Sequence, residues 1–293
     1  MAQSPSHQFG QMIGDMLEAT LSPILKSFAQ KYGLYFDKQG QRSARAGNKL
    51  SWTDLNGNKH DLDFVLERGG TPSKIGIPIA FIETAWRRYT KHSRNKVQEI
   101  QGALIPLLET YSRQRPFAGA VLAGVFTTGA LSQLRSLGFA VAYLPYSSVV
   151  RAFESVGINA AFDEDTPDNE FAQRMAAWKG LSSAKKSKVA KALVALNKLE
   201  LERFVASLRQ TVERSVKTIR ILPLHGTPVE YKSLDEALAF FRNYDESSQA
   251  HAFIRYEVQV SFVNSDRVVG EFGTRTDALS FLESFQVHSK RKS

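Results

Sequence analysis

The stretch that decides the fold sets acidic residues against two apolar segments. Residues 60–67 read HDLDFVLE, and residues 77–85 read IPIAFIETA. The alternation in the first segment predicts a strand on which Asp61 and Asp63 share one face, because side chains two residues apart point the same way. The second segment is almost continuously apolar, which predicts a central strand covered on both faces, with Glu83 near its end.

The position of Glu83 indicates that its carboxylate needs a partner. It follows an uncharged run and shares its strand face with Phe81 and Ala85. A buried carboxylate is costly without compensation, and a hard cation such as Mg²⁺ is a natural partner for carboxylate oxygens. Asp61, Asp63 and Glu83 are therefore the candidate metal ligands.

Helical periodicity and turn signals extend these strands into an α/β domain. The dipeptide Asn56-Gly57 between two alternating runs predicts a hairpin. The predicted elements are a helix at 9–32, strands at 49–54, 60–67 and 77–85, a helix at 93–112, a strand at 119–126, a helix at 131–137 and a strand at 139–143. This order is typical of a mixed sheet flanked by helices.

The C-terminal part predicts an α+β region with a duplicated unit. Residues 230–244 align without gaps on residues 271–285, and each copy follows a strand and a turn, which predicts a ββα unit. Ser233 and Thr274 stand at the predicted helix starts, each followed three residues later by an acid. Two such units can pack into one small pseudo-symmetric domain.

The chain is accordingly divided into three parts. Residues 1–160 form the predicted α/β domain, and residues 221–293 form the duplicated ββα domain, for DNA recognition or dimerisation. Between them, residues 161–220 contain an acidic, proline-containing linker (162–170) and a helical region (187–218) with one apolar and one basic side.

The charge indicates a polyanionic partner. The net charge is +9, and residues 179–220 hold eleven Lys or Arg against three Glu, so the excess is concentrated in one segment. Lys185, Lys186 and Lys188 are its densest group and the candidate phosphate contacts there. A solvated helix face is the alternative interpretation of the same pattern.

Composition excludes several classes of protein. The 293 residues include no cysteine, which excludes disulfides and zinc-thiolate sites. No apolar run reaches the roughly 18 residues of a membrane helix. The first residues lack a basic stretch followed by an apolar one, so we expect no secretory signal and a cytoplasmic location.

The order of elements resembles that of the PD-(D/E)XK nuclease superfamily, which includes type II restriction endonucleases. An apolar strand carries an Asp, the next apolar strand ends in a Glu, and a basic helix follows. The resemblance covers residues 9–145. It implies that Asp63 and Glu83 hold Mg²⁺, which activates water and stabilises charge on the scissile phosphate. Some members of the superfamily recruit a further acid from the first helix, for which Glu18 is the candidate here; with Asp15 nearby, an ordinary exposed helical Glu is the alternative interpretation.

The chain departs from this pattern at Ala85, where the family has a lysine. An ammonium at that place would favour hydroxide and shield the phosphate, and alanine can do neither. Three explanations compete. The lysine role has moved to Lys91 or Lys96, the native lysine was replaced, or the fold survives as a DNA binder.

Residues 86–98 are rich in cations and aromatics and contain no acid. Such a segment beside metal ligands is suited to gripping phosphates, and a solvated loop is the alternative. The candidate DNA contacts here are Arg87, Arg88, Lys91, Arg94 and Lys96.

The sequence therefore favours a Mg²⁺-dependent endonuclease of double-stranded DNA, of the type II restriction kind, whose N-terminal domain cuts and whose C-terminal part reads or clamps DNA. The alternative is a catalytically inactive DNA-binding protein with the same fold. A third hypothesis is that the ββα repeat is an oligomerisation module and that the basic helices only help solubility. Cutting both strands needs two active sites, so we expect a homodimer.

Overall fold

The computed structural model describes residues 4–247 and 251–286, which fall into two units, Met1–Arg209 (unit 1) and Gln210–Ser293 (unit 2). Residues 1–3, on which the expectation about a secretory signal partly rests, lie outside the described residues. Within the described ranges, no helix is both long enough and apolar enough to cross a membrane.

Unit 1 contains a mixed sheet flanked by helices, as the sequence predicts. Its elements are α1 (Pro5–Tyr32), β1 (Tyr35–Lys38), β2 (Ser51–Thr53), β3 (Lys59–Asp61), β4 (Phe64–Arg68), β5 (Ile77–Arg87), α2 (Thr90–Thr110), β6 (Phe117–Gly124), α3 (Thr128–Ser136), β7 (Ala140–Pro145), α4 (Tyr146–Glu154), α5 (Asp168–Lys179), α6 (Ser183–Leu196) and α7 (Lys198–Val212). The boundary with unit 2 falls within α7.

The main sheet has five strands in the order β1-β4-β5-β6-β7. β5 is its middle strand and pairs antiparallel with β4 and parallel with β6. Residues 78–86 of β5 and all of β6 are buried, as expected for strands covered on both faces. The prediction of a covered central strand is confirmed.

The expected strand over residues 60–67 is wrong in one respect that bears on the site. The hairpin at Asn56-Gly57 forms, but β3 ends at Asp61 and its partner is β2 in a separate two-stranded sheet. Leu62 donates its N–H to the Leu50 carbonyl (2.8 Å), and the chain then enters the main sheet at β4. Because Asp61 and Asp63 lie on either side of this break, they do not share a strand face.

Residues 161–220 differ from the predicted linker and helical region. Residues 168–179 form α5, and its Phe171 packs against Phe9 of α1 (ring centroids 5.7 Å apart). α1 also packs on α6, so these helices belong to unit 1. The predicted helical region 187–218 ends too late, since residues 216–218 already lie in a strand.

Unit 2 has the predicted duplicated ββα order. Its elements are β8 (Val216–Pro223), β9 (Val229–Tyr231), α8 (Leu234–Asn243), β10 (Tyr256–Phe262), β11 (Arg267–Phe272) and α9 (Arg275–Gln286). The strands form one antiparallel sheet in the order β11-β10-β8-β9, so the two first strands pair at its centre. Ser233 and Glu236 form a reciprocal capping box at the start of α8, as the spacing predicts.

Candidate active site

Two carboxylates are interlocked where β4 begins and β5 approaches its end. Glu83 is 6% exposed, and one of its oxygens accepts the N–H of Asp63 at 3.2 Å. The Asp63 carboxylate accepts both the N–H and the hydroxyl of Thr84, each at 2.7 Å. Thr84, which the sequence analysis did not single out, therefore fixes the orientation of Asp63.

A third carboxylate, Glu18 of α1, lies within electrostatic reach of this pair. Burial, followed by the charge of Asp63, raises the pKa of Glu83 to about 8, while Lys96 acts in the opposite direction. Burial, followed by the charges of Asp63 and Asp15, raises the pKa of Glu18 to about 7. The resemblance's candidate set of Glu18, Asp63 and Glu83 thus lies within electrostatic reach, and the charge of Asp63 disfavours ionisation of both glutamates.

The donor set fits a hard divalent cation. Among residues 4–247 and 251–286, no three Asp, Glu or His side chains stand as a ready group of metal ligands. Mg²⁺, however, is commonly held by one or two carboxylates, with water and substrate phosphate oxygens completing its shell. Asp63 and Glu83 supply two carboxylates on adjoining residues of paired segments, since the Asp63 N–H donates to the Glu83 carboxylate. A cation bound there would offset the Asp63 charge, which after burial is the second cause of the raised Glu83 pKa.

Asp61 is engaged elsewhere, so the structure does not support it as a metal ligand beside Glu83. Its carboxylate binds the Lys49 ammonium and the Ser51 hydroxyl on the neighbouring strand β2 and the residues before it. These partners lower the pKa of Asp61, the opposite direction from Glu83. The break at Leu62 separates the two aspartates.

Position 85 is part of the apolar core. Ala85 is 5% exposed and belongs to the same buried cluster as Leu62, Val97 and Phe126. A lysine here would place its stem among apolar side chains. The core therefore accommodates alanine at this position well.

Of the two lysines considered as substitutes, Lys96 lies nearer the acids in electrostatic terms. Its charge acts on Glu83, and its ammonium is 3.2 Å from Glu99. Lys91 instead pairs with Glu164 at 3.0 Å, beyond the predicted domain boundary. Both lysines belong to α2, which follows β5 after a short connection.

The other cations of residues 86–98 have distinct environments. Arg88 donates to the Phe162 carbonyl (2.6 Å) and lies over the ring of Tyr146, so it also holds the chain around residue 162 in place. Arg87 is 3.8 Å from Glu99. Arg94, on the first turns of α2, is exposed to solvent. Arg94 is thus accessible as a phosphate contact, as is the exposed Lys91.

The basic group on α6 is also accessible. Lys185 and Lys188 are exposed near the start of the helix, and Lys186 lies over the ring of Trp178 (5.6 Å). Ser182 caps this helix through the N–H of Lys185. The three lysines therefore stand on a well-formed helix of unit 1 rather than in the separate region predicted from sequence.

Lys38, a residue that the sequence analysis missed, acts electrostatically on Glu18. It ends β1, and its charge lowers the pKa of Glu18. β1 is four residues long and pairs with β4. So short a strand has little periodicity, and the sequence offers no signal that places Lys38 near the site.

Comparison of the chain with protein-family models, with curated proteins and with solved structures gives no match.

Proposed function

We propose that the chain is a Mg²⁺-dependent endonuclease of double-stranded DNA, of the type II restriction kind, with a restriction-endonuclease-like fold in unit 1. The observation that carries the proposal is the interlocked pair of Asp63 and Glu83, one of them a buried carboxylate with its pKa raised to about 8. Strongly perturbed carboxylates in one cluster are typical of catalytic and metal sites.

The residues of the site have separable tasks in this proposal. Asp63, oriented by Thr84, and Glu83 hold the cation. The bound Mg²⁺ would lower the pKa of a coordinated water and offset charge on the scissile phosphate. Lys96 supplies positive charge close to Glu83, which Ala85 cannot do. Arg94 and the α6 lysines attract the phosphate backbone.

The alternative proposal is a DNA-binding protein without catalytic activity. The burial of Ala85 in the core favours it, because the family's lysine position has become structural. Both proposals require binding of duplex DNA. They differ in whether the carboxylate pair cuts it.

Cleavage of mixed-sequence duplex DNA with Mg²⁺ or Mn²⁺ tests the proposal. We expect the chain and an Asp61→Asn variant to cut, because Asp61 is engaged with Lys49 and Ser51. Asp63→Asn should lose cutting and keep DNA binding, measured by fluorescence anisotropy with Ca²⁺. Binding without cutting by the unaltered chain would favour the inactive binder, and absence of binding would refute both proposals.

The expected homodimer is likewise a proposal, supported by the need for two active sites to cut two strands. Sedimentation of the chain with and without duplex DNA measures its mass. A monomer in both conditions would contradict this assembly.

A further inference from the structure

The segment of residues 39–50, here called the anchored loop, is irregular but is fixed by a buried ion network. It connects β1 to β2, and Arg42 at its start is 6% exposed. The Arg42 guanidinium donates to both carboxylate oxygens of Glu67, which is fully buried on β4, and also to Asp37. Charge-assisted, bidentate pairs of this kind hold a backbone in one geometry.

Two further sets of bonds anchor the same loop. Arg42 also donates to the carbonyls of Thr71 and Lys74, so it ties the loop to a second irregular segment. Arg45 donates to Asp37 and to the carbonyls of Lys38, Gly40 and Lys49. The loop therefore presents its outward side chains from a preorganised backbone.

Several outward side chains of the anchored loop line a cleft whose wall also includes Glu18 of α1. The cleft has a volume of about 420 Å³ and is lined by Glu18, Lys38, Gln39, Gly40, Gln41 and Asn48. The N–H of Gly40 donates to the Asn48 carbonyl at 2.7 Å, which brings the two ends of the loop together. Gln39, Gln41 and Asn48 are exposed, and within the described residues their amide groups make no hydrogen bond.

The chemistry of this cleft fits the edges of nucleobases better than phosphate. Side-chain amides both donate and accept, and Gln or Asn can pair with an adenine through two hydrogen bonds in the major groove. A phosphate site would instead concentrate cations, whereas Lys38 is the one cation in the lining and its charge acts on the carboxylate of Glu18. The cleft is thus suited to contacts with base edges, which distinguish DNA sequences, rather than to contacts with the phosphate backbone, which do not.

We infer that the anchored loop reads base sequence, with Gln39, Gln41 and Asn48 contacting base edges of the DNA whose backbone lies at Glu18, Asp63 and Glu83. This inference rests on the proposed function, because it places DNA at the carboxylate cluster. Glu18 lines the cleft and interacts electrostatically with Asp63, so reading and cutting would occur on neighbouring nucleotides.

The test uses a pool of duplexes with a randomised central stretch and the full chain. Bound duplexes are selected with Ca²⁺ and cut duplexes with Mg²⁺, and both sets are sequenced. Gln39→Ala, Gln41→Ala and Asn48→Ala are compared with Gln30→Ala, a matched change of an exposed amide on α1. Because all four side chains are exposed, we expect the variants to fold, which thermal melting checks.

Each loop variant should lose discrimination at one or two base positions by roughly tenfold or more, while Gln30→Ala keeps the preference of the unaltered chain. If the loop variants keep that preference, or the unaltered chain has none, the inference is overturned, and cutting by the same proteins leaves the proposed function standing. If preference in the bound set changes but nothing cuts, the inference stands and the nuclease proposal fails. Absence of duplex binding overturns both.

Discussion

Replacement of Glu83 by glutamine should stabilise the protein at alkaline pH. Burial and the charge of Asp63 raise the Glu83 pKa from 4.5 to about 8. Between these two pH values the folded protein retains a proton that the unfolded chain releases, so stability falls as the pH rises through this window and levels off above it. At about 1.4 kcal/mol per pKa unit, the loss has an upper bound of about 5 kcal/mol.

The Glu83→Gln variant removes this pH-dependent loss while its side-chain oxygen can still accept the N–H of Asp63. We therefore expect variant and unaltered chain to have similar stability near pH 4.5, and the variant to be more stable by several kcal/mol at pH 9. That difference is large against the roughly 5–15 kcal/mol that stabilises an ordinary domain.

Urea unfolding in EDTA, followed by tryptophan fluorescence, measures this difference. Trp52, Trp86 and Trp178 all belong to unit 1, so the signal follows the unit that holds the site. Asp61→Asn is the matched control, because the Asp61 pKa is shifted in the opposite direction and its effect on stability should have the opposite pH dependence. Lys49 and Ser51 lower the Asp61 pKa, so its stabilisation is present above the unfolded pKa and is lost as the pH falls. Parallel stability curves for Glu83→Gln and the unaltered chain from pH 5 to 9 would refute the reasoning.

Three other predictions follow from the contacts. Lys96→Met should slow cleavage by roughly a hundredfold or more, because it removes the positive charge acting on Glu83, while Lys91→Met should change the rate little; equal single-turnover rates for both variants would contradict this. Arg42→Met leaves the buried Glu67 without its guanidinium partner, while Asp37 keeps Arg45, and should lower the free energy of unfolding by about 3–5 kcal/mol in a urea titration; a loss below about 1 kcal/mol would be inconsistent with the buried network. The affinity for duplex DNA should fall steeply with salt, and a logarithmic slope near zero would refute phosphate contacts by the basic helices.

The sequence predicts the central strand, the order of the flanking elements around it and the duplicated ββα unit. β5 is identifiable because a strand buried on both faces must be apolar at nearly every position. The proximity of Asp63 and Glu83 follows because β4 and β5 are consecutive antiparallel neighbours in one sheet. Glu18 is placed near them by resemblance alone, and the fold brings it within electrostatic reach.

Features that depend on tertiary contacts cannot be predicted from the sequence in the same way. The alternation of residues 60–67 assumes a continuous strand, and the break at Leu62 arises from its bond to Leu50, twelve residues earlier. α5 escapes prediction because Phe171 is its one fully buried residue among those described, so its apolar periodicity is weak. The acids at its start suit a helix N-terminus as well as they suit a linker.

The burial of the Glu83 carboxylate destabilises the fold when it is ionised, and its few hydrogen bonds do not offset this penalty. Thr84 donates a hydrogen bond to the Asp63 carboxylate, whereas the Glu83 carboxylate accepts, within the described residues, a single backbone N–H, that of Asp63. The negative charge of Asp63 also disfavours ionisation of Glu83. A glutamine at position 83 would avoid that cost. In the proposed function, a cation bound by both carboxylates would offset this repulsion, because a metal ion binds carboxylates in their ionised form. Lys96 lowers the pKa of Glu83 and so shifts the site towards the ionised form. Under the proposed function, the cation and Lys96 together would explain why an ionisable carboxylate is buried at position 83.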